Sequence, residues 1–425
     1  MFSLSVVCGA INGKLDAVTA ATTEAAGSAV TLALGLVGVM TLWLGLMRIL
    51  NDGGLLRLLA RRLQPLMVRL FPEVPVDHPA MSMMILNITS NMLGLANAAT
   101  PFGLKAMMEL EKLNKHKGVA SDAMILFLAI NTSGLAVFPT GIIAIRAALG
   151  SQAPGAIFGT TLIATTCATV VAVCATKLIA SLRPYVGEGL RRDAAFDADD
   201  SLPEVKEPPP LVPPTGWRRA ANWLLVLSLV GAFIYAAVDV ARHSPAGPVA
   251  ALKGAVNGWM LLFLIAAIVL FGACRGVKVY DAIVEGGKEG FGVARRIIPY
   301  MVAMLVAVGM LRASGAIDLT VRLLDPLTSL VGMPAEALPM ALLRPLSGSG
   351  ALAVAADTMR TYGPDSLVGQ IVSTLNGSSE TTFFVMALYF GVVQVGATRW
   401  AIVPCMLADL AGALTAVWAC RLLLN

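Results

Sequence analysis

Four long runs, Ala25 to Met47, Ala147 to Thr176, Ala220 to Val238 and Gly254 to Cys274, contain no Asp, Glu, Lys or Arg. Each is near or above the roughly 20 residues that cross a bilayer as a helix. The composition agrees. Apolar residues make up 57% of the 425 positions and charged residues 13%, against about 45–50% and about 25% in soluble domains. Mean hydropathy is +0.78. The expected fold is therefore an all-α polytopic membrane protein, with the lipid bilayer as its first partner. The run Met1 to Ile11 is short and lacks a basic start, so it reads as part of the fold and not as a cleaved leader.

A net charge of +5 would suit nucleic acid if it were concentrated, but the 31 Lys and Arg are scattered over short loops and helix ends. That is the distribution of a positive-inside membrane protein, and no nucleic-acid partner is expected. The six cysteines (Cys8, Cys167, Cys174, Cys274, Cys405, Cys420) have neither paired spacing nor nearby histidines, so they read as small core residues. His78, His116 and His243 are too far apart in sequence for a local metal site. No metal and no cofactor are expected.

Against this apolar background, residues 87–100 read NITSNMLGLANAAT, six side-chain amides and hydroxyls in fourteen residues. Polar groups persist in hydrocarbon only where they face protein, water or a solute. A diverged counterpart, SGSGALAVAADT, lies at 347–358. Between the two, Val186 to Trp217 holds seven acidic residues and the prolines Pro208, Pro209, Pro210, Pro213 and Pro214, the composition of an aqueous linker.

The linker divides the chain into similar halves, expected as 1–183 and 218–425 with the linker at 184–217, and the halves match weakly. Asp16 and Glu24 correspond to Asp281 and Glu289, Arg48 to Arg312, Pro65 to Pro326, Ser90 to Ser347, and Asn131-Thr132-Ser133 to Asn376-Gly377-Ser378. Each half then reads as a span, an amphipathic surface helix, a polar discontinuous hairpin and two further spans. The four acidic residues at the starts are expected to be solvated on surface helices. The stretch Asn51 to Pro79 carries Arg57, Arg61, Arg62 and Arg69, whereas Ala313 to Leu338 carries only Arg322 as a basic residue. The positive-inside rule puts these two surface helices on opposite sides. Two inverted-topology repeats with re-entrant, discontinuous helical hairpins are thus expected, a plan typical of secondary transporters.

The segment FPEVPVDHPAMSMMILNITSNMLGLANAATPFGLKAMMELEKLN at 71–114 resembles the spore maturation protein A family. The segment RPLSGSGALAVAADTMRTYGPDSLVGQIVSTLNGSSETTFFVMALYFG at 344–391 resembles the spore maturation protein B family. The chain looks like a fusion of the two, with an extra span at about 218–242. Both families carry nucleoside-recognition, or Gate, domains, which are similar to the membrane parts of ferrous iron permeases and concentrative nucleoside transporters. The resemblance implies a permease-like core in a bacterial inner (cytoplasmic) membrane, multi-pass, and leaves the substrate open. Nucleosides, amino acids, metal ions and organic anions all remain, and association into a homo-oligomer is compatible with it.

Candidate solute-binding residues follow from side-chain chemistry. Asn87 and Asn91 are four apart and share a helical face, Ser90 lies beside them, and Asn97 and Thr100 follow a break at Gly94. Amides both donate and accept, so the group suits either a solute or a tight joint between helices. Asn131, Ser347 and Ser349 extend the set, and Pro101 with Gly103 could mark a helix start. NGSSETT at 376–382 adds Asn376, Ser378, Ser379 and Glu380. On a continuous helix Asn376 and Glu380 would face one cavity, with Ser373 on the same face. Glu380 is the leading ion-coupling candidate, its alternative being neutralisation by Arg344. Asp409 and Asp357 compete with it. Asp409 could equally bond a neighbouring helix, and Asp357 could form a surface pair with Arg360.

The function expected is a secondary transporter for a small polar or ionic solute, ion-coupled and working by alternating access. A non-transporting membrane scaffold supporting envelope or spore maturation is the alternative. An enzyme is not expected, because neither H-E-x-x-H nor G-x-S-x-G occurs. Cysteines introduced beside Arg57 and Arg322 should be labelled by an impermeant reagent from opposite faces of the membrane; labelling from one face would refute the inversion.

Overall fold

The computed structural model describes residues 2–94, 96–182, 216–243, 248–316, 319 and 331–424. The expected linker at 184–217 lies almost wholly outside these residues, as does the middle of the surface helix expected at 313–338. The described residues are helical, with one isolated bridge between Val119 and Ala397.

In the first half the order is α1 (Phe2–Ile11), α2 (Leu15–Asp52), α3 (Leu55–Leu70), α4 (Pro79–Met92), α5 (Ala96–Leu113), α6 (Asp122–Thr132), α7 (Thr140–Ala148) and α8 (Ile157–Leu182). Two helices, α9 (Trp217–His243) and α10 (Pro248–Arg275), precede the second set: α11 (Val279–Ala313), α12 (Leu338–Leu343), α13 (Gly348–Tyr362), α14 (Leu367–Gly377), α15 (Thr382–Val392) and α16 (Ile402–Leu423). Among the described residues three helical stretches, Pro154–Leu182, Arg219–Ala236 and Ile402–Leu423, are long and apolar enough to cross a membrane. The extra span expected at 218–242 is α9. The stretch from Leu149 to Ala156, inside the second apolar run, separates α7 from α8.

One expectation is corrected at the helix starts. Asp16 and Glu24 sit on α2 itself, and Asp281 on α11, so the acids and the apolar runs share continuous helices instead of lying on separate surface helices. Asp16, Glu24 and Asp281 are nevertheless exposed. At 38 residues α2 is about 57 Å long, longer than the roughly 30 Å hydrocarbon layer. The cysteines split: Cys405 and Cys420 are buried, while Cys174 is exposed on α8.

Helices α2 and α11 pack along one another in opposite senses. A Cβ at Gly45 would lie 2.7 Å from the Ile283 carbonyl oxygen, and one at Gly309 would lie 3.0 Å from the Ala25 Cβ. Small residues allow this approach, and in lipid, close van der Waals contact is the main force between apolar helices. Helix α16 packs on α8, with Gly412 against Ala168.

The halves interleave. Helix α7 of the first lies on α13 and α14 of the second, and α15 of the second lies on α5 and α6 of the first. Each of the two large apolar clusters accordingly draws on both halves. One joins Leu46, Ile143 and Ile145 to Val354, Ile371 and Val417. The other joins Met84, Met107 and Phe127 to Tyr389, Phe390 and Trp400.

Ionic pairs reinforce this exchange. Arg146 of α7 is fully buried and donates to Asp365 (2.8 Å), Ser373 (3.3 Å), Ser151 (3.3 Å) and the Pro364 carbonyl (2.5 Å). Asp365 also accepts from Ser151 Oγ and the Gln152 N–H. Across the fold, Arg399 donates to Asp122 at 2.6 Å. Asp365→Asn would leave the buried guanidinium without its counter-ion. The expected cost is on the order of 3 kcal/mol, the low end for breaking a buried pair, because Asp365 is 39% exposed. Thermal unfolding in detergent checks it, and an unchanged Tm would remove Arg146–Asp365 from the forces joining the halves.

Candidate functional site

Helix α4 begins at Pro79 with His78 as its cap, the imidazole accepting from the Ala80 N–H at 3.2 Å. It ends at Met92, and Gly94, at φ +71°, turns the chain toward α5. A left-handed backbone there favours glycine, so the expected break is present. The first helical residue of α5 is Ala96, however, and Pro101 and Gly103 lie inside the helix. They do not mark its start.

Three asparagines of the first half form a network with a residue from the second, in which Asn87 Oδ1 is left without a hydrogen-bond partner. Asn87 Nδ2 donates to the Ala99 carbonyl (2.8 Å) and to Tyr389 Oη (3.1 Å). Asn91 Nδ2 and Tyr389 Oη both donate to Asn131 Oδ1, at 2.9 and 3.1 Å. Phe127 stacks on the Tyr389 ring at 5.7 Å. Tyr389 carries little mark in the sequence, because it sits in an apolar helix. The only local signal is a lone hydroxyl in FFVMALYFG. Gly103 gives the phenol its space, since a Cβ there would overlap both Tyr389 Oη and Asn87 Nδ2.

In the second half the chain leaves α12 at Leu343 and restarts as α13 at Gly348. Ser347 caps it, accepting from the Gly350 N–H at 3.1 Å. The N–H groups of Gly348 and Ser349 precede the first intrahelical repeat and have no partner within the helix. Gly348 is also packed closely, because a Cβ there would lie 2.6 Å from Thr381 Oγ1.

Helix α14 ends at Gly377, and Ser378 to Thr381 are non-helical before α15. This overturns the expectation that Asn376 and Glu380 share a helical face. The break is held from outside: the Glu380 N–H donates to the Thr132 carbonyl at 3.0 Å, and Arg344 donates to the Ser379 carbonyl. Gly134, at φ +61°, meets the same segment, its virtual Cβ 2.7 Å from the Ser379 carbonyl carbon. The interruption after α6 therefore touches the interruption after α14.

A cavity of about 470 Å³ opens beside this contact. Of the expected solute residues, Asn91, Thr100, Asn131, Ser347, Ser349 and Glu380 line it, together with Thr381, Phe384, Leu388 and Tyr389. The others do not. Asn87 and Ser90 are fully buried behind the wall, Ser378 and Ser379 are buried in the break, and Asn376 is half-buried away from the lining. Asn97 lies on α5, and its side chain is outside the described residues. Ser373 is fully buried, bonded to the Gly369 carbonyl and Arg146, and does not line this cavity.

The three candidate carboxylates differ sharply in environment. Glu380 is 47% open, with Arg344 at 3.8 Å. Asp357 is buried, not at the surface, and is paired with Arg312 at 2.9 Å as well as Arg360 at 3.1 Å. Two guanidiniums already neutralise it. Asp409 accepts from Thr382 Oγ1 at 2.6 Å through Oδ2, while its Oδ1 is buried without a hydrogen-bond partner. Among the described residues no three His, Cys, Asp or Glu side chains converge as a metal site.

Broken helices from both halves bordering a half-open cavity, within an apolar helical fold, fit a membrane protein. The chain belongs to the Gate family: the family model, described as nucleoside recognition, matches residues 33–149 and 294–395. It is 44% identical over 158 residues to spore maturation protein B of Bacillus subtilis, covering 37% of this chain and 89% of that protein. To spore maturation protein A of the same organism it is 43% identical over 162 residues, covering 38% and 83%. These two matches fit a fused A/B protein. Inner membrane protein YjiG of Escherichia coli K12 is 32% identical over 99 residues, 23% of this chain and 63% of that one. No solved structure matches.

The packing of Tyr389 against Gly103 yields a coupling test. Gly103→Ala should destabilise by about 1–3 kcal/mol through overpacking. Tyr389→Phe should cost about 1–3 kcal/mol by leaving buried amides short of a partner. Because both act on one hydroxyl, the double variant should lose clearly less than the sum. Additive Tm losses would show that Gly103 and the phenol are independent.

Proposed function

We propose that the chain is a multi-pass inner-membrane permease that moves a small polar or ionic solute by alternating access of two oppositely oriented units. The observation that carries this reading is the cavity where the helix breaks of both halves meet, walled by Asn91 and Asn131 from the first and by Ser347 and Glu380 from the second. Transporter sites characteristically lie between repeats, at interrupted helices whose ends present free backbone groups. The antiparallel course of α2 and α11, which open the two units, supports the inversion, as does the reciprocal packing of α7 and α15.

The wall offers acceptors and donors together. Asn91 and Asn131 supply amides, Glu380 a carboxylate, and the start of α13 two N–H groups. Such a set suits a solute with several hydrogen-bonding groups, in keeping with the nucleoside-recognition description of the family. Inner-membrane location rests on the similarity to YjiG.

A thermal-shift screen of purified protein against metabolites and ions would find a solute, and flux into proteoliposomes would follow. Glu380→Gln should lower flux or solute affinity at least about tenfold, the equivalent of 1.4 kcal/mol, with insertion and Tm retained. Unchanged flux would exclude Glu380 from the site. Saturable binding without flux by the wild-type chain would replace the permease with a binding or scaffolding protein.

A further inference from the structure

Helix α3 carries two unlike faces. Leu56, Leu59, Ala60, Leu63 and Met67 recur at helical spacing and pack inward, against α4 and the apolar clusters around Met84 and Phe102. The opposite face is open to the exterior. It holds Arg61, Arg62 and Arg69 together with Leu58 and Leu66, which are 46% and 51% exposed. The helix contains no Asp or Glu. Among the described residues Arg61, Arg62 and Arg69 form no ion pair.

Both ends of this helix are tied to the points where apolar runs stop. The Gly53 carbonyl, two residues before α3, accepts from Arg275 Nε at 2.9 Å, and the Leu70 carbonyl at its close accepts from Lys177 Nζ at 2.6 Å. Arg275 is the first charged residue after the uncharged run Gly254 to Cys274, and Lys177 the first after Ala147 to Thr176. Each therefore marks an edge of the hydrocarbon. Helix α3 has 16 residues and is about 24 Å long. With Arg61 and Arg62 exposed at its middle, it does not cross a layer of roughly 30 Å. Its two ends meet the same edge, and α3 lies along it.

Neither water nor hydrocarbon alone suits the outward face. Water would leave Leu58 and Leu66 uncovered, and hydrocarbon would strand three guanidiniums. In the headgroup layer the leucines reach the acyl boundary while the arginines meet phosphate, whose oxygens accept paired hydrogen bonds from a guanidinium. We propose that α3 is a docking surface for anionic phospholipid headgroups, with Arg61, Arg62 and Arg69 on the phosphates and Leu58 and Leu66 in the chains beneath. Lipids of net negative charge are favoured over zwitterionic ones, because no acidic residue in the helix balances its arginines. Since α3 packs on α4, a bound lipid also braces the helix that carries Asn87 and Asn91. Lipid docking of this kind does not depend on whether the chain moves a solute.

Lipid binding is measured directly. Purified full-length protein in a neutral detergent is titrated with phosphatidylglycerol, with phosphatidylcholine of the same acyl chains, and with inorganic phosphate at constant ionic strength. Tm and the lipid retained in native mass spectrometry are followed. Phosphatidylglycerol should raise Tm saturably, and the other two should not match it. Arg61→Gln, Arg62→Gln and Arg69→Gln together should raise the half-saturating mole fraction at least about tenfold. Arg62→Gln alone, at an exposed site, should raise it severalfold and decides the matter if the triple variant does not fold. Lys14→Gln, at the opposite end of α2 from α3, should respond as wild type. No response to phosphatidylglycerol, or equal responses to both lipids, would reduce the contact to an ordinary lipid annulus. An equal response to phosphate would make it a free-anion site, and a wild-type response in the arginine variants would move lipid binding elsewhere; each of these overturns the assignment.

Discussion

The contact between two interrupted helices is the constraint on which the rest of this molecule turns. Helices α6 and α14 stop at Thr132 and Gly377, and each stop is secured by the other half. The Thr132 carbonyl, freed by the end of α6, accepts the Glu380 N–H, freed by the end of α14. An unpaired backbone group in an apolar interior costs free energy comparable to a lost hydrogen bond. Pairing one break with the other offsets two such costs at once. The same contact presses Gly134 against Ser379, which explains a glycine in left-handed conformation at a site with no room for a side chain.

That pairing decides where polar side chains can point. Asn131 ends up beside the cavity because α6 ends one residue later, and Glu380 faces it because its backbone is tied to Thr132 instead of continuing a helix. Asn87 of α4 and Asn131 of α6 then find Tyr389, carried in by the helix that follows the second break. Part of the polar cluster is therefore structural. Asn87 joins α4 to α5 and α15, while Asn91 and Asn131 join helices and line the chamber together.

What could be read from the sequence was mainly what local rules govern. Uncharged runs of about twenty residues report helices in lipid, and Gly94 marks a turn through its backbone freedom. The correspondence of Asn131-Thr132-Ser133 with Asn376-Gly377-Ser378 falls at the two helix ends that meet. Asn376 and Glu380 were misjudged because the 3.6-residue period was carried across Gly377, where tertiary contacts stop the helix: Thr161 and Pro139 crowd Gly377, and Thr132 captures the Glu380 N–H. Asp357 was misjudged similarly, since Arg360 is visible three residues away but Arg312 arrives from α11. Arg146 carried no local signal either. Its partners Asp365 and Ser373 lie more than two hundred residues further on.

Among the described residues two arginines form ion pairs between the halves, and they are unequal. Arg146 is fully buried and spends its donors on Asp365, Ser373, Ser151 and backbone carbonyls. Arg399 keeps 12% of its side chain exposed; it bonds Asp122 and the Ala120 carbonyl and lies over the Trp400 ring at 5.5 Å. Asp122 is 26% exposed and Asp365 39%, so neither belongs to the surface pairs worth about 0–1 kcal/mol, and loss of a partner from either approaches the cost of about 3–5 kcal/mol of a broken buried pair. The difference lies in the donors: Arg146 ties the start of α14 to α7 through carboxylate, hydroxyl and backbone together, whereas Arg399 holds the start of α6 to the segment after α15 through Asp122 and the Ala120 carbonyl.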